Sequence, residues 1–296
     1  QTIKQAWMEN GSSNNNPNPG YGIQTTTNLG VTVAGARTLG FDTLYNNTGG
    51  SNIKTYNSQN DTWTSLPTTL DFFQRGQAYM TFIRGDRSVT KYNQATKPTR
   101  IREKDSLNMG DFTLSNLGTF GGQFISIGNP YASAISLTNI SKTNLDSTYY
   151  LWDPKLGPNS EYGGFQTVSV VNGNVTVTPG GGSYSAGNKN VESGQGFFVR
   201  TTTGIGSITF KESNKVDGSY LVSRMSNTIS SFRTNMYKLE GSTSSLYDGV
   251  LNLYDDSYHN EVEPNDAIKI FGSSESLSLK ENDNHLVIDR KKFITD

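Results

Sequence analysis

Cysteine is missing from all 296 residues. No disulfide can brace the core, and neither thiol catalysis nor a thiolate metal site is available. Secretion remains compatible with this, because a chain of this length needs no covalent staples. Histidine occurs twice, at His259 and His285, without the His-x-x-x-His spacing of a zinc site. Charge is scarce: charged residues make up 17%, the net charge is −1 and the pI is about 6.2. No basic surplus exists to neutralise phosphates, so nucleic-acid binding is not expected. No apolar run approaches the roughly 20 residues of a bilayer-spanning helix, so no transmembrane segment is expected.

Gly, Ser, Thr and Asn fill the space, with 15 Tyr and 14 Phe. Low charge with many aromatics is unlike generic disorder. It fits short strands joined by polar turns. No window holds a sustained 3.6-residue period. The expected fold class is therefore all-β, in β-sandwich-like modules with very little helix.

The chain is organised around Gly122-Gln123-Phe124-Ile125-Ser126-Ile127-Gly128-Asn129-Pro130-Tyr131, a half-buried strand that runs into a corner. Gly128 permits φ > 0 and Pro130 blocks further ladder pairing. A second stretch, Gly194-Gln195-Gly196-Phe197-Phe198-Val199, answers it. The sharpest local signal is Asn172-Gly173 between the β-branched runs 165–171 and 174–178, which reads as a two-residue type I′ hairpin. Further β-like runs lie at 31–34, 53–56, 78–83, 149–152, 207–210, 236–239, 250–254, 268–271 and 285–288. Residues 133–137 could form one helical turn. Gly11 to Gly22, rich in Asn and Pro, reads as a loop, either a surface connection or a binding loop.

These signals divide the chain into a large β-sandwich-like module at 1–215, with a possible sub-division near 110–120, and a second unit at 216–296. A polar stretch at 216–235, containing Asp217-Gly218, reads as the connection. The second unit has about four strand-like runs, against around seven for a sandwich. It is expected to be incomplete, with Leu251, Leu253, Ile268, Ile270, Val287 and Ile288 needing partners from beyond residue 296 or from another chain. Gln1 to Lys4 has no apolar central region of a signal peptide and reads as the middle of a longer protein.

Candidate chemistry is sparse. Asp255, Asp256, Glu261, Glu263 and Asp266 cluster hard oxygen ligands on one loop and suit calcium, though not with EF-hand spacing. The same residues also read as a solvated acidic loop between two strands. Arg84-Gly85-Asp86 is an integrin-type tripeptide, and equally a turn in which Asp supplies the turn hydrogen bond. Ser183-Tyr184-Ser185-Ala186-Gly187 misses the first glycine of a nucleophile elbow. Gly180-Gly181-Gly182 lacks the Gly-Lys-Ser/Thr of a phosphate loop and reads as the hairpin exit. Trp7, Trp63 and Trp152 read either as core or as a sugar-stacking platform. No pair of facing carboxylates stands out.

A set of short pieces carries a resemblance along nearly the whole chain. They are Asn16-Pro17-Asn18-Pro19-Gly20-Tyr21-Gly22, Gly76-Gln77-Ala78-Tyr79, Arg84-Gly85-Asp86-Arg87-Ser88, Gly128-Asn129-Pro130-Tyr131, Tyr150-Leu151-Trp152-Asp153-Pro154, Gly194 to Val199 and Phe210-Lys211-Glu212-Ser213, with Asp248-Gly249 and Asp266-Ala267-Ile268-Lys269 in the last unit. Together they resemble the C-terminal β-rich passenger regions of Bacteroidota proteins exported by the type 9 secretion system. The resemblance implies an extracellular, outer cell-surface setting and engagement with the secretion machinery through a sorting domain not present in this chain. It transfers no catalytic residues. The expected function is a non-catalytic structural or adhesive segment of such a cargo protein, with surface glycans or other cell-surface proteins as partners. The alternatives are a carbohydrate-binding module of a secreted polysaccharide-degrading enzyme and, third, a hydrolase with an unrecognised site.

Overall fold

The structure, a computed structural model, describes residues 1–43, 50–91, 93–157, 163–184, 189–217, 230–271 and 275–293. The chain forms two compact units, Gln1–Asn108 and Met109–Asp296.

The first unit has little regular structure. Helix α1 (Ile3–Ala6) starts in a capping box between Thr2 and Gln5, and α2 (Val33–Thr38) starts on the Thr32 side chain. The run at 31–34 reads as a strand in sequence. Its Thr32 instead accepts the Gly35 N–H, a local bond that favours a helix start over a ladder. Strands β1 (Ile53–Asn57), β2 (Thr62–Ser65) and β3 (Met80–Thr81) make one small sheet, with β1 central. Ile3, Ala36, Phe41, Ile53 and Leu66 are buried together, and Trp7, Phe73 and Tyr79 pack against them.

The second unit holds the sandwich. Its strands are β4 (Phe112–Leu117), β5 (Phe124–Gly128), β6 (Ala134–Ser136), β7 (Ser141–Thr143), β8 (Thr148–Asp153), β9 (Gly164–Val171), β10 (Asn174–Thr178), β11 (Asn190–Val191), β12 (Gly196–Arg200), β13 (Gly206–Phe210) and β14 (Lys215–Val216). One sheet has the order β10-β9-β8-β12-β5, and two three-stranded sheets have the orders β11-β6-β14 and β4-β13-β7. Ile125, Ile127, Tyr149, Leu151, Val168, Val177, Phe197 and Val199 from the five-stranded sheet meet Ile135, Val191, Ile208 and Phe210 from the other two. Each fully buried apolar side chain contributes about 1.5–3 kcal/mol, so this layer dominates the unit's stability.

The two organising stretches pair directly as β5 and β12, from Gly196 opposite Gly128 to Arg200 opposite Phe124. Gly128 does not take a positive φ; it ends the strand. The corner is turned by the Asn129 side chain, which accepts from Tyr131 N–H and donates to the Ser133 and Glu192 carbonyls. The Asn172-Gly173 hairpin forms as read, with φ of 50° and 77° and Asn174 opposite Val171. The single turn near 133–137 is a 3-10 turn displaced to Leu137–Asn139.

Beyond residue 229 come β15 (Ser230–Glu240), β16 (Thr243–Tyr254), β17 (Ala267–Ile268), β18 (Leu279–Glu281) and β19 (Asn284–Lys291). The connection read at 216–235 falls largely on 218–229, outside the described residues, and β15 occupies its last part. Residues 294–296 also lie outside the described residues. β15 pairs antiparallel with β16, and β16 pairs parallel with β19. A parallel pair needs a long crossover, here residues 255–283.

The sequence places a division at 215/216, whereas that position lies inside the second compact unit. Side-chain and backbone bonds join the last sheet to the five-stranded one and to the loop that follows β8. Tyr150 Oη donates to the Ile268 carbonyl at 2.8 Å, and Arg290 Nη2 to Ser169 Oγ at 3.0 Å. Gly157 N–H donates to the Leu246 carbonyl of β16 at 2.7 Å. Most of the apolar positions expected to lack partners pack against one another within the chain. Leu251, Leu253, Val287 and Ile288 are buried together with Ala267, and Ile268 and Ile270 are half-buried. Four of the six positions expected to need outside partners are thus buried among the described residues. Counting strands overlooks that this sheet is bonded to the five-stranded one and that its crossover supplies Ala267 and Tyr258 to the apolar cluster.

Candidate functional site

In the first unit the polar loop Gly11–Gly22 sits on a set of buried charges. The Arg87 guanidinium is fully buried and uses all five N–H groups. Nη1 donates to Asp42 Oδ2 at 3.0 Å and to the Ile23 carbonyl at 2.8 Å. Nη2 donates to Asp42 Oδ1 and the Ser12 carbonyl, both at 2.8 Å, and Nε to the Asn15 carbonyl at 3.0 Å. Asp42 also accepts the Thr25 N–H. A Cβ on Gly11 would overlap this guanidinium, so only glycine fits there.

Asp86 of the Arg84-Gly85-Asp86 tripeptide is buried beside it. Its carboxylate accepts from Gly20 N–H at 2.7 Å, Asn16 Nδ2 at 3.3 Å, Ser88 N–H at 3.0 Å and Ser88 Oγ at 2.6 Å. Desolvation opposes its charge, but the bonds from Ser88, Gly20 and Asn16 outweigh it and hold the carboxyl at about 2. The tripeptide is thus built as a turn, and its acid faces inward. At the far end of the loop Glu9 takes Arg102 through two bonds of 2.9 Å and Asn18 Nδ2 at 2.8 Å. The Arg102 guanidinium lies 4.0 Å from the centre of the Tyr21 ring. Between these anchors Ser12, Asn14, Asn15, Pro17, Pro19 and Gly20 are exposed. The arrangement can present amides and prolines on a fixed frame.

The acidic loop opens the crossover between β16 and β19, and its members do different things. Asp255 Oδ1 accepts from Ser257 N–H and Oγ. Asp256 and Glu261 are exposed, and Glu263 lies 3.7 Å from His259. Asp266 is buried; its Oδ2 accepts Glu263 N–H and its Oδ1 accepts Arg290 N–H, both at 2.8 Å. Among the described residues no three His, Asp or Glu side chains gather as a metal-ligating group. The five residues expected as calcium ligands are thus not brought together, and Asp266 fastens the crossover to β19. A second buried carboxylate fastens the other side. Asp248 Oδ1 lies 2.5 Å from Lys269 Nζ, and Oδ2 accepts Leu277 N–H.

The remaining candidates fall into packing roles. Trp7 lies against Phe73 and Tyr79, with ring centres 4.9 and 5.6 Å away. Trp152 is half-buried against Phe165, and Trp63 is exposed on β2 beside Tyr56. His285 Nδ1 lies 2.9 Å from Ser278 Oγ. Ser183 Oγ donates to Asp153 Oδ1; Ser185, Ala186 and Gly187 of the elbow-like segment lie outside the described residues. Gln166 Nε2 bonds to the Pro179 carbonyl beside Gly180-Gly181-Gly182, where β10 ends. No described helix is long and apolar enough to cross a membrane.

Sequence reasoning missed Asp42, Arg87, Asp248 and Lys269. Within the two pairs the partners are 45 and 21 residues apart, and no local spacing signals them.

No curated protein matches the chain. No solved structure matches it either. A family model does match residues 4–244, which covers the first unit and the second as far as the start of β16. The chain belongs to that family, described as a domain of unknown function, DUF8693.

Proposed function

We propose that this chain is a non-catalytic structural and adhesive segment of a secreted, cell-surface protein of the type 9 secretion system, and that the Gly11–Gly22 loop is its contact surface. One observation carries the reading. The buried Arg87–Asp42 pair and Asp86 hold the base of that loop, while its Asn- and Pro-rich tip stays exposed. A braced polar loop loses little conformational entropy when it binds, which suits adhesion. Buried carboxyl groups elsewhere, Asp248 with Lys269 and Asp266 with the β19 backbone, likewise fasten the fold. The secretion route rests on the sequence resemblance and the partners on the exposed amides; surface glycans and cell-surface proteins both offer matching hydrogen-bonding groups.

The test uses the purified chain and the variant Asn14→Ala/Asn15→Ala/Pro17→Ala on immobilised surface polysaccharides and outer-membrane protein extracts. The reading expects saturable binding by the wild type, weaker binding by the variant and an unchanged melting temperature. Turnover of any polysaccharide by the purified chain would contradict it.

A further inference from the structure

The long strand β15 offers a second interaction surface. It runs for 11 residues, roughly 37 Å at strand rise. One of its edges pairs with β16, and among the described residues no strand pairs with the other. Phe232, Tyr237 and Leu239 on it are 63%, 56% and 73% exposed. Open edges of this length are usually shortened, charged or covered.

The order of residues along the strand points to its occupant. The register shift against β16 skips a residue of β16, Tyr247, so β15 itself alternates regularly. Arg233, Asn235, Tyr237 and Leu239 share one face; Arg233 and Asn235 reach Thr178 and Gly180 from it. Phe232 and Lys238 share the other. A two-fold axis through the middle of the strand falls on Asn235. Antiparallel pairing about it sets Arg233 opposite Tyr237 of the second copy on one face, and Phe232 opposite Lys238 on the other. Each meeting occurs twice by symmetry, and each places a cation against an aromatic ring. The register that pairs all 11 residues is therefore also the one that matches cations to rings. Centring on Arg233 or Lys238 would oppose like charges and shorten the overlap.

We propose that β15 is an isologous interface, through which two copies of this chain join edge to edge into one continuous antiparallel sheet. The register makes a prediction that depends on the sign of one charge. Tyr237→Glu sets a carboxylate opposite Arg233 of the second copy; Tyr237→Arg sets a guanidinium there. Both remove the same exposed ring, so their folding effects are alike.

Sedimentation velocity across a concentration series, on the full chain, tests this. The wild type should dimerise reversibly. Tyr237→Arg should raise the dimer dissociation constant by about tenfold or more, while Tyr237→Glu stays within about threefold of wild type. A chain that is monomeric at every concentration would overturn the proposal, as would a dimer that responds equally to both substitutions.

Discussion

Asp248 Oδ1 and Lys269 Nζ stand 2.5 Å apart with side chains only 9% and 6% exposed. Burial pushes the Lys269 amine down, and the Asp248 charge opposes that shift. The pair ties the crossover back to β16, while Asp266 ties it to β19. A parallel strand pair cannot be closed by a tight turn, so its crossover must be fixed by other means. Here two inward-facing carboxylates do it.

Asp266 gives this arrangement a pH dependence. Burial pushes its carboxyl up to about 6, against backbone bonds from Glu263 and Arg290 that favour the charged form. The folded state holds this proton more tightly than the unfolded chain, whose reference value is 3.8. The resulting stabilisation is complete below about 3.8 and is lost as pH rises through about 6. The stability advantage of wild type over Asp266→Asn should therefore shrink as pH rises across that window. Urea unfolding at a series of pH values measures it; a constant difference would show that Asp266 does not titrate there.

Asp86 acts with the opposite sign. Its folded value of about 2 lies below the reference of 3.8. Its stabilisation is present above 3.8 and is lost as pH falls toward about 2. The advantage of wild type over Asp86→Asn should shrink on acidification through this range. Carboxyl carbon shifts in an NMR titration give the midpoint directly, and a midpoint at or above 3.8 would contradict the hydrogen bonds from Ser88, Gly20 and Asn16 that hold the charge.

The β9–β10 turn tests backbone strain. Gly173 has φ of 77°, and no atom lies within 4 Å of where its Cβ would be. Gly173→Val therefore costs through conformation alone, on the order of 1–3 kcal/mol. Thermal unfolding should show a lower midpoint, and Gly173→Asn, which tolerates positive φ, should recover most of it.

Calcium offers a check on the acidic loop. Asp266 spends its two oxygens on backbone donors, and Asp255 Oδ1 is taken by Ser257. Addition of calcium or of chelator should leave the melting midpoint unchanged. A midpoint that rises with calcium in wild type and not in Asp256→Ala would show that the loop rearranges around the ion.

The β character, the pairing strands at 124–128 and 196–200 and the Asn172-Gly173 hairpin are legible in the sequence because each rests on local chemistry: glycine punctuation, β-branched runs and a turn dipeptide. Val31 to Ala34 misleads because its apolar β-branched residues mask the Thr32 cap. The burial of Leu251 and Ile288 is illegible, since nothing near them in sequence names the elements that cover them. The same holds for the candidate site. The Asn- and Pro-rich loop is visible as a loop, but its anchor, Arg87 on Asp42, joins residues 45 apart. In sequence Arg87 looks like the tail of a turn motif.

The central claim is that these buried charges brace the chain that carries the exposed loop. Equilibrium urea unfolding of Arg87→Met, Asp42→Leu and the double variant tests it most directly. Removing either partner leaves an unpaired buried charge, so each single variant should lose about 3–5 kcal/mol, and the double variant should lose markedly less than the sum. Single variants that unfold at the wild-type midpoint would contradict the account.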